Sequence, residues 1–178
     1  KKILGDLSEV QKIYLEESKM MMVSHFVKAT LRKNSPDVIL SMKEYVSHFT
    51  DTFFDNMDFS DAVLFNSSFL VDRITNYVFD LNYSKKVSVQ QRLYKESIAR
   101  VMTKISDLKF KKGISEFLIT QFEASKNIEI IDFILDEYYK KLPETLQDKK
   151  FTSEVLGKLA AEIGRISPDF SWKENNTS

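Results

Sequence analysis

Apolar and polar positions along the chain repeat with helical spacing, interrupted by short polar breaks. Leu7, Val10 and Tyr14 start one stripe; Met20, Val23, Val27 and Leu31 form another, with the polar run Glu16–Lys19 between them. A helix from near Leu7 to Lys33 therefore either changes partner at that run or breaks there. The stretch Asn34–Asp37 supplies a stop and a restart, because Ser35 can cap and Pro36 suits a first helical position. The second helix places Val38, Met42, Tyr45, Val46, Phe49 and Phe53 on one face. Asp55–Asp61 reads as a loop, with a short helix over Asp61–Phe65 after it.

Ser67 or Ser68 begins the next helix, which turns Leu70, Ile74, Tyr77, Val78 and Leu81 inward. Ser88 followed by Gln91 is a capping-box pattern, opening a long helix through Tyr94, Ile98, Val101, Ile105 and Leu108 that Gly113 punctuates. Ile114, Phe117, Leu118 and Phe122 make the following stripe. Asn127 caps a helix that aligns Ile128, Ile131, Leu135, Tyr138 and Leu142. Thr152 or Ser153 caps the last helix, with Val155, Leu156, Leu159, Ala160 and Ile163 inward and Gly164 at its C-terminal stop. The expected fold is all-α, an irregular multi-helix bundle of about seven helices, since a single stripe cannot bury itself.

Composition agrees with that pattern. Only four glycines and three prolines occur in 178 residues, so long helices are favoured over many short strands. Fourteen phenylalanines make the core aromatic-rich. Lys plus Arg and Asp plus Glu both number 26, which leaves no net field to draw in nucleic acid or an anionic membrane. No apolar run approaches the roughly 20 residues of a membrane-spanning helix. Opening on Lys1 rather than Met, the sequence has the look of an excised piece, with no signal peptide in view. The absence of cysteine removes disulfides, thiol nucleophiles and zinc–thiolate sites from these residues.

Candidate chemistry is sparse. Asp51, Asp55, Asp58 and Asp61 form an acidic stretch, but the alternation and glycine of a calcium loop are missing, and caps or solvated loop residues are the simpler reading. His48 and Asp51 stand at i, i+3 spacing, and His25 is the other histidine. A metal-binding or hydrolytic role for His48 with the Asp51–Asp61 acids is an alternative reading; structural histidines are the plainer one. The run Met20–Met22 points to different faces of a helix, so at least one is expected in the core and another exposed; core packing is the plainer reading and an adaptable binding groove the alternative. Lys109–Lys112 is basic but short, and suits a helix end. No cofactor-binding motif is present.

The final segment breaks the helical pattern. Pro168 stops a helix and favours extended geometry at Ser167, and Ile166, Phe170 and Trp172 can then share one face at period two. The segment resembles the G-x-x-A-P-D-F-x-L opening of thioredoxin-fold domains of the peroxiredoxin and TlpA-like type. Gly164, Pro168, Asp169, Phe170 and Trp172 match, and Ser167 replaces the usual Ala. In addition, Phe53–Val78 resembles a segment of an uncharacterised helical domain that precedes thioredoxin-like domains in secreted proteins of Bacteroidetes-type bacteria. Asp55, Asp58, Phe59, Asp61 and Leu64 coincide with that pattern, while Asn66 and Ser67 depart from it.

The resemblance implies a non-catalytic helical accessory domain over Lys1–Gly164. Arg165–Ser178 would then be a linker and the first strand of a downstream thioredoxin-like domain. The parent would be a thiol–disulfide oxidoreductase or peroxiredoxin-like protein of the periplasm or cell envelope. Its partners would be that domain and protein substrates, with Pro168, Asp169, Phe170 and Trp172 at the junction. The absence of cysteine suits a neighbour of a disulfide-exchanging domain, where a stray thiol invites mixed disulfides. A free-standing helical interaction module is the alternative.

Overall fold

The computed structural model describes residues 2–31, 41–81 and 83–160, with side chains from residue 9 onward. Every regular element among them is helical, so the expected all-α, multi-helix fold is observed. The number of helices is larger than expected: nine α-helices and two π-helical segments among the described residues. The chain divides into two compact units, Lys1–Ile114 and Ser115–Ser178. The tail with Pro168, Asp169, Phe170 and Trp172, and the restart at Ser35 and Pro36, lie outside the described residues.

The first unit begins with α1 (Lys2–Glu17) and α2 (Val23–Thr30). The chain breaks at the polar run, and a turn over residues 18–22 separates the two helices. Next comes α3 (Met42–Thr52), opened by a capping box. The Glu44 amide donates to Ser41 Oγ at 3.2 Å, and the Ser41 amide donates to the Glu44 carboxylate at 3.1 Å. A short α4 (Ala62–Phe65) stands where the sequence places it, and α5 (Phe69–Thr75) follows. The helix then continues as a π-helical segment over Asn76–Asp80, where the Leu81 amide reaches back five residues to the Asn76 carbonyl at 3.1 Å.

The core of this unit is aromatic, as the composition suggests. Phe53, Phe54 and Phe59 are buried, with Tyr77 only 1% exposed. The Phe54 ring lies 4.6 Å from Tyr77, 4.9 Å from Phe53 and 5.5 Å from Phe59, centroid to centroid. Leu64, Leu70, Ile74, Val78, Ile98 and Val101 are buried too, and a fully buried side chain of this size contributes about 1.5–3 kcal/mol.

The stripes on the first helices stay largely exposed. Val10 and Tyr14 on α1 are exposed, and so are Met20, at 97%, and Val23. On α3, Met42, Tyr45 and Val46 are exposed and Phe49 is half-buried; full burial is reached only past its C-terminal end, at Phe53. The stripes are amphipathic as read, but no described element covers them.

The expected capping box at Ser88 does not form. Helix α6 (Val87–Lys104) opens at Lys86 without a side-chain cap, and Ser88 lies inside its first turn. The expected continuation to Gly113 is also interrupted. Ile105 adopts extended backbone and is buried, and Asp107 restarts the chain by accepting from the Phe110 amide at 2.7 Å. Helix α7 (Leu108–Ala124) then passes through Gly113 without a break.

In the second unit, Asn127 accepts from the Ile130 amide and caps α8 (Ile128–Ile134), as expected. A second π-helical segment, Leu135–Tyr139, continues it; the Lys140 amide donates to the Leu135 carbonyl at 2.9 Å. Helix α9 (Lys149–Ala160) starts earlier than predicted from Thr152 or Ser153. Asp148 is the residue that caps it, accepting from the Lys150 and Phe151 amides at 2.9 and 3.0 Å. Lys158 on α9 donates to the Glu123 carboxylate of α7 at 2.6 Å. No helix among the described residues is long and apolar enough to cross a membrane.

Candidate functional site

The acidic stretch does not converge. Each of three aspartates is engaged by a different partner. Asp51, on α3, accepts from the Arg100 guanidinium of α6 at 2.5 Å and from Ser47 Oγ at 3.2 Å. The Arg100 hydrogen bond holds its carboxyl below the usual range, against the opposing effect of burial. Asp58 accepts from the Ser60 hydroxyl and amide at 2.6 and 2.8 Å, an Asx turn that also lowers its carboxyl. Asp61 is the N-cap of α4, accepting from the Val63 amide at 2.9 Å and the Leu64 amide at 3.4 Å.

Asp61 has one further partner. His25 Nδ1, from α2, lies 2.6 Å from Asp61 Oδ2. Burial pushes the Asp61 carboxyl up, but the bonds from His25, Val63 and Leu64 outweigh it and hold it below its ordinary value. An ionised carboxylate only accepts, so Nδ1 carries the proton and Nε2 keeps its lone pair whenever the ring is neutral. Residues 25 and 61 are 36 positions apart, and no local pattern links them.

His48 does not pair with Asp51. Its ring is half-buried, and Nε2 is buried with no hydrogen-bond partner among the described residues. Asp51 and Arg100 instead form a cluster with Tyr77 of the first π-helical segment. The Asp51 hydrogen bond strengthens the protonation of Arg100, and Arg100 in turn hydrogen-bonds Tyr77. Burial raises the Tyr77 phenol, and the Arg100 charge partly offsets that. Arg73 stacks 4.1 Å from the centroid of Phe53. Sequence reasoning missed Arg100 and Tyr77 as a pair because 49 residues separate Arg100 from Asp51, and the π turn that presents Tyr77 has no composition signature.

The second unit has a counterpart. Tyr139 donates to Glu116 Oε1 at 2.6 Å and accepts from the Asp148 amide at 2.9 Å. Burial, reinforced by the Glu116 carboxylate, pushes its phenol up to about 12.

Each unit also carries an open cleft. In the first, about 430 Å³ is lined by Phe59, Ser60, Phe65, Asn66, Ser106 and Asp107. In the second, about 500 Å³ lies along one face of α9, with Gln147, Thr152, Ser153, Leu156, Gly157 and Ala160 at its walls. No three His, Asp or Glu side chains are grouped to hold a metal among the described residues. No protein-family model, curated protein or solved structure matches the chain.

Proposed function

We propose that this chain is a non-catalytic helical domain that docks against a partner protein, the partner being a thioredoxin-like domain of the same exported polypeptide. The observation that carries the reading is the pair of uncovered apolar faces in the first unit. Val10, Ile13 and Tyr14 on α1 and Met42, Tyr45 and Val46 on α3 each stand at i, i+3, i+4 spacing, and all six are exposed. Such faces gain by burial against another surface, and aromatic and methionine side chains are favoured at interface centres.

The fate of the residues behind the family resemblance gives further support. Phe59 and Leu64 are buried, Asp58 closes a turn and Asp61 caps α4, so these positions build the scaffold. On this reading, thiol chemistry belongs to the partner domain in the cell envelope, and the helical domain positions it or its protein substrates.

The test begins with the reading frame beyond Ser178. A cysteine-bearing βαβ pattern is expected there, and this chain should bind that domain when the two are mixed. Tyr14→Glu and Tyr45→Glu should weaken binding at least tenfold, with helical content unchanged by circular dichroism. A downstream frame without that pattern leaves the alternative, a free-standing interaction module. Binding unaffected by both substitutions removes the docking faces.

A further inference from the structure

The turn between α1 and α2 carries three methionines in succession, all exposed: Met20 at 97%, Met21 at 61% and Met22 at 71%. A core role for the run is thereby excluded. The backbone of the turn is wound tightly. The Met21 amide donates to the Ser18 carbonyl at 2.7 Å, the Ser24 amide to Met21 at 3.0 Å and the His25 amide to Met22 at 3.4 Å. These are i to i+3 bonds, and in such a turn the side chains at i and i+3 eclipse one another. Met22, the residue before α2, and His25, in its first turn, stand three positions apart, a spacing that places both on one helical face.

His25 itself is arranged as a metal-ligating imidazole is. Its Nδ1–H donates to the Asp61 carboxylate, which is fixed in turn by the α4 amides, and the side chain remains 41% exposed. A carboxylate behind one ring nitrogen sets the tautomer and raises the basicity of the other. Nε2 makes no hydrogen bond among the described residues.

We propose that this turn binds a soft monovalent metal ion, copper(I) or silver(I), through Met22 Sδ and His25 Nε2, with Met21 or Met20 supplying a further thioether. Thioethers select soft monovalent ions, imidazole is compatible with them, and the oxygen-rich set that calcium or magnesium needs is absent from the turn. Three adjacent flexible side chains on one turn let the sulfurs converge with little backbone movement. The proposal is independent of the docking reading above, since none of its ligands belongs to the α1 and α3 faces.

The probe is silver(I) nitrate, added in chloride-free buffer to the whole chain carrying 13C-methyl methionine. Six methyl signals are present, one per methionine. Met22 and one or both of Met20 and Met21 should shift and saturate at one equivalent, together with the His25 ring signals. Met42, a lone thioether 77% exposed, and the buried Met57 and Met102 should not follow. Met22→Leu, at an exposed position, should weaken silver(I) at least tenfold without loss of fold. Asp61→Asn keeps a good N-cap and should weaken it about 10–100-fold through His25. Two results overturn the site: Met20–Met22 shifting no more than Met42, or the His25 ring remaining unmoved at saturation.

Discussion

The two units contain the same device with opposite polarity. In each, an α-helix runs into a π-helical segment that buries a tyrosine to 1% exposure. Tyr77 turns its hydroxyl toward a cation, Arg100, whose far side is held by Asp51 at a half-exposed ion pair. Tyr139 turns its hydroxyl toward an anion, Glu116, and accepts from the Asp148 amide in the same contact. The second hydroxyl is used as both donor and acceptor, and it ties α7 to the start of α9. The first is joined to a network that solvent already screens. Equal burial therefore does not mean equal energetic weight.

That contrast can be broken at several points. Tyr139→Phe has the largest expected effect, a loss of about 1–3 kcal/mol in chemical denaturation, because the Asp148 amide and Glu116 lose their partner. The same hydroxyl makes the loss pH-dependent. The folded phenol is raised from 10 to about 12, so its contribution is complete below pH 10 and disappears as pH rises through 12. The stability difference between the original chain and Tyr139→Phe should therefore shrink as pH rises through that range.

Tyr77→Phe should cost less, about 1 kcal/mol, since Arg100 keeps Asp51 and water. A loss equal to that of Tyr139→Phe would show that solvent does not relieve the first network. Asp51→Asn should change stability least, by under about 1 kcal/mol, as the pair is half-exposed. Its folded carboxyl is lowered, so whatever it contributes is present above the ordinary carboxylate range and is lost as pH falls through the lower folded value. The acid limb of the stability curve should flatten slightly in Asp51→Asn.

The fold class was legible because the stripes are strong, and so was the cap at Asn127, while the capping-box pattern at Ser88 was not used. The π turns were not. A strict 3.6-residue period aligns Tyr138 with Leu135 and Leu142, but Tyr139 is the buried one and Tyr138 only half-buried. Tyr138 and Tyr139 stand at i+3 and i+4 from Leu135, both within one helical stripe, so the period alone does not choose between them. In the first unit the same device causes no visible slip, since Leu70, Ile74, Tyr77 and Val78 are buried as the period predicts. The uncovered faces of α1 and α3 were equally illegible, because a stripe tells that a helix has an apolar side without telling what lies against it. The His25–Asp61 and Arg100–Asp51 pairs are fixed by tertiary packing, and sequence spacing holds no record of them.

Tolerance to changes of length follows from the π turns. An α-helix that loses one residue rotates everything after the deletion by about 100° and scrambles its core face. A π turn has one residue to spare. Removing one between Leu135 and Tyr139 would return the helix to α-type bonding with its ends still joined, while handing the core position to a different side chain. These two short stretches are therefore where a deletion can act as a substitution, changing which residue is buried without cutting the helix.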